Sequence, residues 1–358
     1  MKKIFHFLKR KKESDFGKGL VPQEKPDERD YLHKEIAAGL SLPNWVEKKP
    51  EDFISYPIKN QGSTSACVAF SFAKQLEIDE LSENGVYRIL SPRSLYSLGY
   101  LPDGGMYDRQ AATILIQKGM TLNSLLSSDN LTEQQMRDAS DYKPDAQQVA
   151  LVYKPDNIIF ADNNLDTIAS IIESYRQQGQ KKGVGIIIAG SNNGTWLSTF
   201  PKPPASNETK WYHKVVATDY GLINGAKYIS IDNSWGNYAG MQGKQFLGED
   251  YVPFILETDY TLNLPDNWRD LAQIIPKPHY VWNNDLKIGS TGEDVLMLQK
   301  ALQYLGMFPI NSIQQPTGYF GGLTRQAVMT FQVAYQISPV SGIVGPLTRA
   351  KLNQIFGQ

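Results

Sequence analysis

From Ala66 onward, apolar residues recur at Val68, Phe70, Phe72, Ala73 and Leu76, the spacing of one helix face, and Ser65 stands where a capping hydroxyl would. The spacing predicts a helix with Cys67 in its first turn. The same period predicts helices over Asp108 to Lys118 and over Leu165 to Tyr175. The run GVGIIIAG that follows the second of these reads as a strand. WYHKVVATDYGLINGAKYISIDNSWG reads as two strands turned at Asn224-Gly225, a pair that favours tight hairpins. His213 lies on the first of these strands and Asn233 ends the second.

Polar, proline-bearing sequence fills the chain up to Leu40, so residues 1–40 read as an arm and 41–262 as a domain. Around Leu264 to Trp282 the pattern turns aperiodic again, which reads as a linker over 263–284 with one short helical piece. A second, helical domain follows over 285–358. It holds an internal repeat, GYFGGLTRQAV from Gly318 and GIVGPLTRAKL from Gly342, in which a glycine turn leads into a helix with Thr324 or Thr348 near its start. Arg325 and Arg349 follow these threonines, so each copy either presents a polar pair to a ligand or merely caps and solvates its helix.

Composition narrows the chemistry. The chain has 358 residues, enough for two domains, and a formal net charge of -1 with scattered basic residues, which argues against a nucleic-acid partner. A single cysteine excludes an intramolecular disulfide. A zinc site would need the four histidines, His6, His33, His213 and His279, without any cysteine pair. No metal or organic cofactor is expected. No run is long and apolar enough to cross a bilayer. The start, MKKIFHFLKRKK, is basic, but its apolar stretch is too short for a signal peptide. Its aromatic and basic residues either make a weak contact with an anionic membrane surface or form a solvated tail.

A lone free cysteine is ordinarily a small buried hydrophobe. To act as a nucleophile it must ionise, which calls for a helix N-terminus, a neighbouring imidazole, or both. The stretch KNQGSTSACVAFSF resembles the nucleophile segment of the papain-like cysteine peptidases, with Gln61, Gly62, Cys67, Ala69 and Phe70 keeping identity and spacing. His213 precedes an apolar strand that ends near glycine, and Asn233, Ser234, Trp235 and Gly236 reproduce the family's Asn-Ser-Trp-Gly. DGGMYDRQAATILIQKG resembles its Gly-Gly segment.

The resemblance spans roughly Leu42 to Pro253 and implies an α+β, two-lobed fold, one lobe helical and one a sheet. It implies Cys67 as nucleophile and His213 as proton acceptor and donor. Asn233 would hold the imidazole, and Gln61 with the Cys67 N–H would form the oxyanion hole. Gly104 and Gly105 would offer main-chain bonds to substrate, and Trp235 would shield the histidine bond. Trp211 and Trp235 also count as substrate-side residues. Departures are present: Thr64, Ser65 and Val68 replace the family's cysteine, glycine and tryptophan, and Trp211, Tyr212 and Lys214 crowd the histidine. Subsite preference therefore does not transfer.

Residues 285–358 resemble the small three-helix peptidoglycan-binding module of bacterial wall enzymes, through Gly289, Gly292, Leu298, Gln299, Leu302, Phe320, Thr324 and Phe331 among others. Together these features imply a cysteine endopeptidase acting on polypeptides and held to peptidoglycan through 285–358. Its place would be the cell envelope or the exterior by a non-classical route, or else a virion or the cytoplasm. Two alternatives stand beside it: an inactive papain-fold structural or adhesive protein of an envelope or virion, and a peptidase of the wall's own cross-links.

Overall fold

The helix expected at the cysteine runs over Cys67–Asn84 in a computed structural model that describes residues 17, 19–21, 27–37, 39–262, 277–308 and 316–357. The basic start, residues 1–12, lies outside the described residues. Its cap position holds Ala66 and not Ser65, and no side chain caps it. The sequence predicts one buried face, yet every residue from Cys67 to Leu81 is buried. The helix threads the middle of the domain, and its polar side chains persist there because each is paired. Lys74 meets Asp232, Gln75 meets Asp259, Asp79 meets Lys182, and Glu77 accepts from Tyr87.

In chain order the elements are β1 (Leu20–Val21), α1 (Glu28–Ala37), α2 (Cys67–Asn84), α3 (Pro92–Gly99), β2 (Met106–Tyr107), α4 (Asp108–Lys118), α5 (Glu133–Arg137), α6 (Pro144–Val152), β3 (Asn157–Ala161), α7 (Leu165–Gln177), β4 (Val184–Ser191), β5 (Lys210–Ile223), β6 (Ala226–Asp232), β7 (Lys244–Gly248), β8 (Ile255–Leu262), α8 (Glu293–Tyr304), α9 (Gly322–Ala334) and α10 (Pro346–Phe356). Helices α2 to α6 form one lobe. The other is an antiparallel sheet in the order β3-β8-β4-β5-β6-β7. Strand β4 is buried along its whole length, as its unbroken apolar run requires, and α7 packs against the sheet. The β5–β6 turn falls at Asn224-Gly225, with φ of 52 and 79, the left-handed values that this pair tolerates.

Order begins before Leu40, contrary to the expectation from polarity. Helix α1 packs on β3, and its charges find partners far along the chain. Arg109 donates to both carboxylate oxygens of Asp30 at 2.8 and 2.9 Å, while Arg29 donates to the Arg109 carbonyl at 3.3 Å. The hydrogen bond from Arg29, with the charge of Arg109 behind it, holds the Asp27 carboxyl at about 2 against the opposing effect of burial. An acid with a depressed folded-state pKa stabilises the fold above its ordinary value and loses that contribution as pH falls through the folded one. Helix α1 should therefore keep this attachment above pH 3.8 and loosen as pH approaches about 2. Pepsin cleavage within residues 28–37 should rise over that window, and a flat cleavage rate across it would count against the attachment.

The carboxy-terminal helices α8, α9 and α10 enclose a core with Leu298, Leu302, Phe320, Phe331, Leu352 and Phe356. The repeat is built on a glutamine clasp. Gln299 accepts from Thr317 and Gly318 N–H and donates to Thr324 Oγ1 at 3.0 Å; Gln332 accepts from Gly342 N–H and donates to Thr348 Oγ1 at 3.0 Å. Thr324 and Thr348 are buried by these bonds, so they present nothing to a ligand. Residues Tyr280 and Trp282, expected in a linker, pack on this domain: Trp282 is buried and its backbone exchanges two bonds with Asn353. Positions 263–276, with the expected short helical piece, lie outside the described residues.

The two domains touch directly. After α2 the segment Tyr87–Ile89 meets the small domain: Tyr87 N–H donates to Tyr335 Oη at 2.9 Å, Ile89 N–H to the Leu305 carbonyl at 2.8 Å, and Arg88 to Tyr304 Oη at 3.0 Å. Arg88 is buried here and also pairs with Glu80.

Candidate active site

Cys67 opens α2 at the base of the cleft between helices and sheet, with no exposed surface. Burial pushes its thiol above the usual range; the backbone N–H groups of Lys214, Gly19 and Val68 act the other way, and the carboxylate of Asp108 adds to the rise. His213 comes from β5 of the sheet, so Cys67 and the imidazole come from different lobes. Its Nε2 lies 3.0 Å from Asn233 Oδ1. The ring of Trp235 tilts over His213 at 4.8 Å, with Trp211 and Trp196 at 6.4 and 6.5 Å.

Trp235 is completely buried, so it shields the imidazole and has no surface for substrate. Trp211 lies edge-on to Trp196 and covers Gly190, which fixes it in the wall beside His213. Asn233 in turn donates from Nδ2 to Gln245 Oε1 at 2.8 Å.

Gln61 is held from below. Ser234 donates its hydroxyl to Gln61 Oε1 at 2.5 Å, and Gln61 N–H donates to the Ser234 carbonyl at 2.8 Å. With Oε1 so held, Gln61 Nε2 donates to the Thr64 carbonyl of its own loop at 2.7 Å. The second residue of Asn-Ser-Trp-Gly thus holds the Gln61 side chain and backbone, a contact the sequence alone did not assign.

The cleft is filled by the chain's own arm. Gln61 Nε2 donates to the Gly17 carbonyl at 3.0 Å, Gly17 N–H to the Gly62 carbonyl at 3.2 Å, and Met106 N–H to the Gly19 carbonyl at 2.9 Å. Strand β1 continues this path, pairing in parallel with β2 through Leu20 and Met106. The passage is so narrow that a Cβ on Gly17 would lie 1.7 Å from the Thr64 carbonyl oxygen, and one on Gly19 would lie 1.8 Å from that of Ser65. Only glycine passes at these two positions.

Gly104 and Gly105 form the opposite rim, but their polar groups are engaged within the lobe. Gly105 N–H donates to Tyr96 Oη at 3.0 Å, its carbonyl accepts from Leu101, and Gly104 N–H donates to Leu101. The main-chain bond to the arm comes from Met106 instead. Glu133 ties this rim to the nucleophile loop, accepting from Ser65 N–H at 2.7 Å and from Tyr96 Oη. Burial tends to raise the Glu133 carboxyl, but the bonds from Tyr96, Ser65 and Arg137 outweigh it and hold the group below its ordinary value. No cluster of metal-ligating side chains is present among the described residues.

Residues 42–248 match the family described as papain family cysteine protease. The chain belongs to that family. Among solved structures, this papain-family chain is similar to xylellain, a cysteine protease from Xylella fastidiosa, with a TM-score of 0.53 and 19% identity over 72% of this chain and 98% of that one. It is also similar to procathepsin B S9 from Trypanosoma congolense, with a TM-score of 0.50 and 12% identity, covering 70% and 87% of the two chains. Both likenesses concern the fold. Residues 291–352 match the putative peptidoglycan binding domain. A curated relative, the spore cortex-lytic enzyme of Halalkalibacterium halodurans, is 33% identical over 84 residues, which is 24% of this chain and 24% of that protein. The chain thus spans about a quarter of that relative's length.

Proposed function

We propose that this papain-family protein is a cysteine endopeptidase that cleaves peptide bonds at the cell wall. The observation that supports the reading is that Cys67 opens a buried helix N-terminus while His213 is bonded to Asn233 and Gln61 is held by Ser234. In this mechanism the Cys67 thiolate attacks the substrate carbonyl while Gln61 Nε2 and the Cys67 N–H stabilise the oxyanion. His213, anchored through Nε2, works through Nδ1, taking the thiol proton and passing it to the leaving amine. The C–N bond breaks as a thioester forms, and water then releases the acid and restores the thiol.

The carboxy-terminal domain supports peptidoglycan as the surface on which this happens. Its polar repeat residues are committed internally, Arg325 to the Ser341 carbonyl and Arg349 to Asp285. Exposed apolar side chains, Tyr319, Leu323, Ile343 and Leu347, stand beside its glycine turns, together with the exposed polar Thr317, Arg325 and Gln326. A second reading makes the wall's own peptides the substrate, and it draws on the peptidoglycan-binding match and on the cortex-lytic name of the curated relative. An inactive adhesive protein is disfavoured by the intact cysteine, histidine, asparagine and glutamine.

The test combines mass spectrometry after reaction with an epoxide thiol inhibitor and parallel digestion of casein and purified peptidoglycan. One adduct on Cys67 and casein fragments are expected, with the intact protein sedimenting with walls. Release of wall peptides without casein cleavage would favour the second reading, and absence of both adduct and products in wild type and in Gly17→Ala/Gly19→Ala, where the arm is displaced, would defeat the peptidase reading.

A further inference from the structure

We infer that Gln245 is a positioning residue that sets the tautomer of His213. Its kinetic meaning rests on the peptidase reading above, whereas its geometry does not. Gln245 lies on β7, one strand beyond the end of β6 from which Asn233 emerges, and it is fully buried. Its Nε2 donates to the Ser198 carbonyl at 2.9 Å and to the Trp196 carbonyl.

Main-chain carbonyls only accept hydrogen bonds, so they fix which end of the Gln245 amide is nitrogen. Oε1 must then face Asn233, and the 2.8 Å contact there requires Asn233 to present Nδ2. That leaves Asn233 Oδ1, an acceptor without a proton, 3.0 Å from His213 Nε2. Nε2 must therefore carry the ring proton, and Nδ1 is the basic nitrogen of the neutral imidazole. The order of donors runs one way through four groups. It begins at two carbonyls of the loop that carries Trp196 and ends at the proton-transfer atom.

Without Gln245 the Asn233 amide has no reason to prefer one orientation. Rotated by half a turn, it would offer an N–H to Nε2 and stabilise the opposite tautomer, whose Nδ1 is already protonated and cannot accept from Cys67. Main-chain anchoring makes the device insensitive to the identity of the loop side chains. It also places the specification of the base outside any group that touches substrate.

The test uses the full chain with Gln245→Leu and Gln245→Glu, measured beside wild type. Nitrogen-15 spectra of the histidine rings report the tautomer, His213 being assigned by its disappearance in His213→Ala. Gln245→Leu is expected to lose the pure Nε2–H pattern and to lower kcat by about tenfold to a hundredfold, the range for removing a partner that orients a functional imidazole, with KM unchanged. Gln245→Glu, whose carboxyl can accept from Asn233 Nδ2 whether neutral or ionised, is expected to keep the Nε2–H pattern and a kcat within a few fold of wild type. A folded Gln245→Leu protein with wild-type tautomer and kcat would overturn the assignment. If that variant does not melt cooperatively, a folded Gln245→Glu protein that has lost the Nε2–H pattern overturns it instead. Should neither wild type nor Gly17→Ala/Gly19→Ala hydrolyse peptides or label at Cys67, the peptidase reading fails, and the ring spectra alone decide the role of Gln245.

Discussion

Cys67→Ala abolishes peptide hydrolysis and epoxide labelling, with a loss on the order of a millionfold in kcat, the scale on which removing a hydrolase nucleophile acts. His213→Ala gives a loss of similar size, because cysteine and histidine act as one unit and removing either disables both. Neither change should unfold the protein. Cys67 begins its helix and forms no disulfide, so its replacement by alanine removes one sulfur from the cleft floor. Residual turnover within a few fold of wild type in either variant, confirmed as enzymatic by mass spectrometry, would remove the replaced residue from the mechanism.

Gly17→Ala combined with Gly19→Ala raises the rate at which iodoacetamide alkylates Cys67. Both new methyl groups would overlap backbone carbonyls of the nucleophile loop, at 1.7 and 1.8 Å, and backbone cannot move aside as a side chain could. The arm must lift. Three of the hydrogen bonds that hold it cross to Gln61, Gly62 and Met106, beside the β1–β2 pairing. At about 1 kcal/mol net for each, their loss amounts to about 3 kcal/mol, or roughly a hundredfold in the open population. Hydrolysis of a small peptide should rise in parallel. An unchanged alkylation rate would show that something other than the arm limits access to the thiol.

The parts of this site legible in the sequence are those carried by short local patterns. Cys67 falls in a first helical turn because the apolar period begins beside it, and Asn224-Gly225 turns a hairpin because few other pairs accept its backbone angles. The arm's role was hidden because nothing in GKGLV marks a backbone that must pass within contact distance of Thr64 and Ser65. Helix α1 was missed because its charges look solvated until Arg109, some eighty positions away, is placed beside them. Gln245 was invisible for a different reason. A glutamine between lysine and phenylalanine on a strand reads as an outward polar residue, and only the packing of the Trp196 loop turns it inward.

The contact between Tyr87–Ile89 and the small domain has a consequence for how the protein would measure its surroundings. Cys67 begins α2 and the contact follows its end, so an 18-residue helix, about 27 Å long, separates the cutting point from the docked domain. A leash would let the cleft sample every height above the wall. A buried arginine between Glu80 and Tyr304 does not permit that freedom. On the proposed reading the molecule would act as a caliper: with the small domain seated, only bonds lying at one set height and facing one direction would come within reach of the thiol.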